Sequence, residues 1–402
     1  MNNVAVVYHY LAHYREAVFR ELCANDGDER YTLFSGKASN IRSLATIDPQ
    51  LASKPIECGG LRWRFVKNLF VGKVLLQTGV LRLSITREFD TIIFLGNAYY
   101  LTTWMAAFLA RLRGKRVLMW SHGFNQEDRV IVNWLRLRLY RLAHGMLLYG
   151  NRSAHICKRM GLDPDSLYVI LNSLDYRQIL QVRQKIEAKT LATPLDDQKA
   201  PSARGTLISV GRLVYRKRLD LLLNAVALLD RRGCCVRLLL VGDGPEKDKL
   251  VKLANKLGVG DRVTFFGACH DENALGPLIY SSDVCVIPNH VGLGAIHALS
   301  YGTPVITHNK PDKHSPEFEA IIKGRTGDFF EYENIEDMAD VISQWLVQKK
   351  ERDSVRSSCY QIVDNYYNPG YQVEMINRAV RGIPAHLCPK AKTAYPDIFE
   401  SR

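Results

Sequence analysis

The sequence lacks the devices that commonly lock small proteins or fix them in a membrane. Its nine cysteines are Cys23, Cys58, Cys157, Cys234, Cys235, Cys269, Cys285, Cys359 and Cys388, without one Cys-x2-Cys pair. Several fall inside apolar strand patterns, which argues for reduced, buried thiols and against a disulfide framework or structural zinc site. No secretory leader is read at the start, because Val4-Ala5-Val6-Val7 is too short for an apolar signal core and His9, His13, Arg15 and Glu16 follow closely. The uncharged stretch 91–110 is interrupted by Gly96, Asn97, Tyr99, Tyr100, Thr102 and Thr103. It reads as a buried strand, a turn and an apolar helix, not as a membrane span. Acidic residues are in deficit, 41 against 54 Lys and Arg, and the net charge of +13 calls for an anionic partner. Nucleic acid is not expected to be that partner, since no helix-turn-helix, RNP-like or zinc-finger pattern accompanies the charge.

The basic residues are unevenly placed. Residues 61–87 carry Arg62, Arg64, Lys67, Lys73, Arg82 and Arg87 without an acid, interleaved with Trp63, Phe65, Leu69, Phe70, Leu75 and Leu76. Residues 129–142 repeat the theme with Arg129, Arg136, Arg138 and Arg141 beside Trp134 and Tyr140. Cations mixed with aromatic and aliphatic side chains at helical spacing suit an anionic lipid surface. A core helix with one solvated face carries the same pattern. Two such segments in one half of the chain predict a cytoplasmic protein, peripheral on the inner face of a bacterial inner membrane.

At 402 residues the chain exceeds the roughly 250–300 residues that one hydrophobic core sustains, so two domains are expected. Strand-like runs at 3–8, 31–34, 91–95, 116–120 and 145–149 alternate with helical patterns at 14–22, 99–113 and 133–142. That alternation predicts an α/β fold with parallel, doubly wound sheets. Residues 176–204 are polar, contain Pro194 and Pro201, and read as a helix followed by a linker. The alternation then resumes from Thr206 to about Gly327, with helices expected at 338–349, 351–364 and 371–380. The expected division is 1–178, a helix and linker at 179–204, a second domain at 205–365, and 366–402 as a final helix with a loose tail.

Chemistry-bearing residues cluster where strands end. The run 209–217 closes a strand and places Gly211, Arg212 and Lys217 ahead of a helical pattern at 219–229. Open α/β sheets bind ligands at the carboxyl ends of their strands. A guanidinium grips two phosphate oxygens and an ammonium supplies a compact charge, so Arg212 and Lys217 suit a diphosphate. Gly292 and Gly294 permit close backbone approach at the start of another helix, where backbone N–H groups favour anions. In the first half, Trp120-Ser121-His122-Gly123-Phe124 ends a strand with a histidine able to contact hydroxyls. His9, His13 and Arg15 lie in the first strand-to-helix loop. The Asp-x-Asp pairs at Asp26-Gly27-Asp28 and Asp163-Pro164-Asp165 fall in turns, so neither a metal nor another cofactor is expected.

This series, continued by 238–246, 262–267, 283–288 and 301–307, resembles the nucleotide-sugar half of family 4 glycosyltransferases. Those enzymes have the GT-B fold, in which two Rossmann-like domains face a central cleft. The resemblance implies retaining transfer of a sugar from a nucleotide-diphosphate sugar to a glycan or lipid-linked acceptor, in bacterial surface polysaccharide assembly. It also implies a final helix that packs back on the first domain. Arg212 and Lys217, with Gly211, would hold the donor diphosphate, and Asn289, His290, Gly292, Leu293 and Gly294 the donor-binding loop. His122 would face the donor sugar, and His9, His13 and Arg15 would lie on the acceptor side.

The chain also departs from the family, whose members carry two glutamates separated by seven residues. Counting back from Gly302 puts Asn289 and His297 at those places, and a shift of two residues puts Val291 at the first. Neither alignment gives a glutamate. A neutral imidazole at His297 still accepts one ribose hydrogen bond, a core histidine being the other reading. Glu317 is expected to cap backbone N–H groups, and Glu319 is a second candidate for the missing carboxylate. The departure keeps two alternatives open: a catalytically weakened GT-B protein acting as a binding partner in a membrane polysaccharide complex, and a GT-B sugar-nucleotide epimerase.

Overall fold

A computed structural model describes residues 1–25, 27–37, 45–124, 130–191, 203–347 and 351–389. Asp26, Arg129, Lys349, the prolines of the linker and the tail from residue 390 lie outside these residues. The described residues form two compact units, one of 1–175 with 368–389, the other Tyr176–Tyr367.

The first unit is built on a seven-stranded sheet. Its strands are, in chain order, Asn2–Tyr10, Glu29–Gly36, Trp63–Phe65, Thr91–Leu95, Arg116–Ser121, Gly145–Leu148 and Leu167–Val169. Every neighbouring pair is parallel. Parallel strands require crossovers that cover both sheet faces, so both faces must be apolar. In the first strand Val4, Val6 and Tyr8 enter one core with Phe19 and Leu22. Ala5 and Val7 enter the other with Ala106 and Ala107. Across the sheet the strands stand third, second, first, fourth, fifth, sixth and seventh in that order. Winding therefore reverses between Asn2–Tyr10 and Thr91–Leu95, which leaves a crevice at their carboxyl ends.

The terminal helix Pro369–Arg381 joins this unit. Asn368 caps it by accepting from the Tyr371 amide at 2.9 Å, proline opens it, and Gly382 closes it at φ 76°. Val373, Ile376 and Val380 enter the core that holds Phe19 and Leu22. Arg381 grips the buried Glu29 carboxylate with two N–H groups, and the Tyr168 hydroxyl donates to the Ile383 carbonyl at 2.8 Å.

The segment read for membrane affinity at 61–87 and the one at 91–110 read as no span differ in outcome. Residues 61–87 are not a helix: they form Trp63–Phe65, a hairpin of Asn68–Val71 with Val74–Gln77, and only a short helix, Val80–Ile85. Gly72 at φ 58° makes the tight turn and Gly79 at φ 80° ends the hairpin, so side chains alternate across a ribbon where a helical period was read. The segment 91–110 is, as read, a strand and a helix, Leu101–Leu112. That helix has two apolar faces. Ala106, Ala107 and Ala110 are buried, while Leu101, Met105, Phe108 and Leu112 recur on the solvent side. Among the described residues no helix is long and apolar enough to cross a membrane.

The second unit repeats the architecture with a six-stranded sheet. Its strands are Gly205–Val210, Val236–Val241, Val263–Gly267, Val284–Val286, Val305–His308 and Gly327–Phe330, all parallel to their neighbours. They stand third, second, first, fourth, fifth, sixth, so winding reverses between Gly205–Val210 and Val284–Val286. Helix Leu219–Arg231 buries Leu219, Leu222, Leu223, Val226 and Leu229 at three- and four-residue spacing. Helix Tyr176–Glu187 packs on Glu272–Ser281 in the same unit, and its buried Arg183 meets Asp364 at 2.8 Å.

Past the first two strand ends the backbones nearly touch. A Cβ on Gly242 would sit 1.9 Å from the Gly211 carbonyl oxygen, and Gly242 has φ 148°. Gly242→Ala should therefore lower unfolding free energy by about 2–4 kcal/mol. In urea titrations Gly72→Ala, at φ 58° but with open space around it, should lose only about 1–2 kcal/mol. Equal losses at the two sites would show that the strand-end loops are not held in close contact.

Candidate active site

Two groups of polar residues occupy the two points where winding reverses. In the second unit, four cations follow the strand Gly205–Val210. Arg218 stands in the left-handed region at φ 49° and is tied to Asp220 at 3.1 Å and Glu333 at 2.8 Å. Among the described residues, Arg212, Arg216 and Lys217 form no ion pair with a carboxylate. Arg212 is exposed. Lys217 turns inward and donates to the His290 carbonyl at 2.8 Å. Burial and the nearby Arg216 lower its pKa, against the opposing pull of Cys285 and Glu317. The loop after Val284–Val286 clasps the same turn, because the Asn289 amide donates to the Arg216 carbonyl at 3.0 Å.

Three neutral histidines hold that second loop. The Lys310 amide donates to His308 Nδ1 at 3.1 Å, which leaves His308 Nε2–H to donate to Asn289 Oδ1 at 2.9 Å. His314 accepts the Val291 amide on Nδ1 at 3.1 Å and donates from Nε2 to the His308 carbonyl at 2.9 Å. Their rings stack at 3.9 Å. His290, at φ 54°, donates from Nδ1 to the Lys313 carbonyl at 3.0 Å. Burial first, then neighbouring positive groups, lower the pKa of His308 to about 2. Burial likewise lowers His314 to about 4. The loop so fixed leads through Gly292 into helix Leu293–Ser300, where a Cβ on Gly294 would lie 3.4 Å from the Val210 carbonyl oxygen. Gly211, Arg212, Lys217, Asn289, His290, Gly292, Leu293 and Gly294 are thus brought together. Both ends of the Asn289 side chain are engaged in joining the loops.

His297 lies farther along the same helix and meets a carboxylate that sequence reasoning missed. Its Nε2 is 2.6 Å from Glu272 Oε1, which also accepts from the Tyr301 hydroxyl at 2.7 Å. Burial opposes ionisation of Glu272, but these hydrogen bonds outweigh it and lower its pKa. Glu272 opens helix Glu272–Ser281, whose cap is Asp271. Glu317 and Glu319 are both buried in the turn Pro316–Ala320, and Glu319 is fully so.

In the first unit, His9, Arg15 and His122 line one cavity of about 340 Å³. Tyr8, Trp120, Tyr140 and Tyr149 complete much of its wall. His122 opens to the surface through the cavity while protein atoms crowd it, and that crowding with the Arg15 charge lowers its pKa to about 4. Burial and Arg15 lower His9 likewise to about 4. His13 is not part of this group. It points to solvent, 3.4 Å from Glu16, because the helical turn His13–Arg15 sends neighbouring side chains in different directions.

Residues 195–361 match the family model of the Glycosyl transferases group 1. Among curated relatives, glycogen synthase of Mycobacterium tuberculosis is 31% identical over 153 residues, 37% of this chain and 35% of the relative. The lipopolysaccharide core biosynthesis glycosyltransferase LpsE of Rhizobium meliloti is 39% identical over 125 residues, 30% of this chain and 33% of the relative. The chain thus spans about a third of the length of these relatives. Among solved structures, Anabaena HepE in complex with UDP aligns with TM-score 0.70 at 16% identity, over 95% of this chain and 100% of that one. The resemblance read from the sequence holds, and the fold is that of the GT-B glycosyltransferases.

The histidine clasp gives the second unit a definite pH response. His308 and His314 titrate lower in the folded chain than the ordinary 6.5 of the unfolded one. Their contribution is therefore complete above 6.5 and is lost as pH falls below it, at about 1.4 kcal/mol per pH unit for each histidine kept neutral. His308→Gln should make the fall in stability between pH 6.5 and 4 shallower by about that one-proton slope. Unchanged slopes in urea titrations would show that His308 takes up its proton in the folded state.

Proposed function

We propose, with the GT-B glycosyltransferase fold as premise, that this chain transfers a sugar from a nucleotide-diphosphate donor to a glycan or lipid-linked acceptor with retention. The observation that carries the reading is the placement of Lys217, without an ion pair among the described residues, beside a glycine-bearing helix start at the winding reversal, with the exposed Arg212 five residues before it. Breaking the glycosidic bond builds negative charge on the departing diphosphate. Fixed cations already aimed at that charge stabilise the transition state more than the ground state. The helix dipole of Leu293–Ser300 adds to the same field, and no metal is required by this chemistry. For retention, the departing phosphate is positioned to take the proton of the incoming hydroxyl on the same face of the sugar.

The pair His297–Glu272 takes the place of the motif's second glutamate. With Nε2–H directed to Glu272, the Nδ1 lone pair of His297 is left to accept a ribose hydroxyl. His122 is the sugar-facing group of the first unit, kept neutral and so able to accept or donate. A role in surface polysaccharide assembly is supported by the described function of LpsE in lipopolysaccharide core biosynthesis.

The first unit also carries the means for peripheral membrane binding. Met105, Phe108 and Leu112 on one helix, and Val130, Ile131 and Trp134 on another, are exposed apolar groups. Arg138 stacks over Trp134 at 5.0 Å, and Arg136 and Arg141 lie close to it in sequence. Apolar insertion with adjacent cations suits the anionic cytoplasmic face of an inner membrane.

Screening nucleotide sugars for a rise in melting temperature should identify the donor. With it, Arg212→Ala and Lys217→Ala should each reduce turnover by about 10²-fold or more while folding persists. Near-normal turnover in either would place the diphosphate elsewhere, and donor binding without turnover on any acceptor would favour the binding-partner reading.

Liposome sedimentation tests the membrane surface separately. Met105→Gln with Phe108→Gln should release the protein from anionic vesicles, as should salt, which screens charge beyond about 8 Å at physiological strength. Equal sedimentation with neutral vesicles would remove the electrostatic part of the reading.

A further inference from the structure

The cavity of the first unit holds a cation that has no counter-charge among the described residues. Arg15 is 7% exposed, and its guanidinium lies 4.9 Å from the Tyr149 ring centroid, 5.4 Å from Tyr14, 5.5 Å from Trp120 and 5.7 Å from Tyr8. It donates to the Tyr8 hydroxyl at 3.1 Å. Burial opposes its charge, but a guanidinium is not deprotonated in a protein, so the charge persists. Burial raises the pKa of Tyr8 and Tyr149, so these hydroxyls are neutral and do not cancel the charge. Among the described residues no Asp or Glu pairs with Arg15 and none lines the cavity. The adjacent Glu16 is engaged by Arg20 at 2.5 Å and His13 at 3.4 Å. A buried charge without an opposite charge is costly, and the aromatic faces offset only part of that cost.

A second observation points the same way. Trp120, which also lines the cavity, is 1% exposed, and among the described residues its buried Nε1–H has no hydrogen-bond partner. Buried donors are rarely left unmatched. A donor in want of an acceptor beside a cation in want of an anion describes one missing group, an oxyanion. The cavity volume, about 340 Å³, falls at the small end of ligand pockets and suits one acidic sugar residue or a phosphate with part of its ester.

We infer that the acceptor is anionic, and that its carboxylate or phosphate binds Arg15 with the Trp120 indole N–H as a further donor. This rests on the reading that the first unit holds the acceptor. Arg15 and Trp120 thereby determine acceptor specificity: a neutral glycan end leaves both groups unmatched, which disfavours it strongly.

The full chain should be titrated calorimetrically with glucuronate, glucose 1-phosphate, glucose and UDP, in wild type, Arg15→Gln and Trp120→Phe. The expected result is that one or both anions bind the wild type at least tenfold more tightly than glucose. Arg15→Gln should lose that margin, and Trp120→Phe, which removes the N–H while keeping an aromatic ring, should lose about threefold. Preference for glucuronate identifies an acidic sugar, and preference for glucose 1-phosphate a phosphorylated acceptor. UDP should bind all three forms equally, which shows that the variants fold. Anions binding no better than glucose in the wild type, or equally in all three forms, would overturn the inference while equal UDP binding leaves the transferase reading standing. Should Arg15→Gln not fold, Trp120→Phe alone decides, full wild-type anion affinity counting against the proposal. Absence of UDP binding with the anion margin intact would instead count against the donor reading.

Discussion

A strand in a parallel sheet cannot pair with its successor through a tight turn; the chain must cross over a face of the sheet each time. The crossovers wind with one hand, so extending a sheet in both directions from its first strand forces one reversal. At that reversal the two connections depart to opposite faces and the strand ends are left uncovered. Both units of this protein have this arrangement, and both groups of functional candidates occupy it. The polar loops are therefore where they are because nothing apolar needs to pack there.

What fills the two crevices differs in sign management. In the second unit, the cations come with an internal division of labour. Arg218 is neutralised by Asp220 and Glu333 and fixes the turn, which leaves Arg212 and Lys217 to present net charge. The loop opposite is held by imidazoles whose tautomers are set by backbone partners, so it is rigid without adding charge. The glycines Gly211, Gly242 and Gly244 let the first two strand-end loops lie against one another, as a Cβ at Gly244 would come 2.3 Å from the Leu213 carbonyl oxygen. In the first unit the cation is instead packed among aromatic rings, which shield it from water without neutralising it.

The sheets were legible in the sequence because strands buried on both faces must be nearly continuous apolar runs, as at 92–95 and 238–241. The cationic loop at 211–217 was legible as a candidate anion site because glycine and paired cations at a strand end have few other uses. The hairpin at 68–77 was misread because a short amphipathic ribbon and a helix can contain the same residues, and only the positive φ of Gly72 and Gly79 separates them. That His13 stands apart from His9 and Arg15 was not legible, because a loop's composition does not say which side chains turn inward. The partner of His297 was not legible at all: Glu272 begins a different helix and meets it only through the packing of two crossovers. The outer stripe of Leu101–Leu112 was hidden for the opposite reason, since a helix with apolar residues on both faces gives no sign of which face the core takes.

Tyr140 closes helix Val130–Tyr140 and reaches into the cavity wall, its hydroxyl 2.7 Å from Ser121 Oγ, 3.2 Å from the Gly96 carbonyl and 3.1 Å from the Gly123 carbonyl. The opposite end of the helix exposes Val130 and Ile131. One rigid rod thus joins a greasy tip to the rim of the polar chamber, and its 11 residues at about 1.5 Å each make it a gauge roughly 16 Å long. A carrier whose tails rested at the tip would have to project its head group by about that span to reach the rim. Shortening or lengthening the rod by a turn, about 5.4 Å, would change which head groups measure up, with no contact inside the chamber altered.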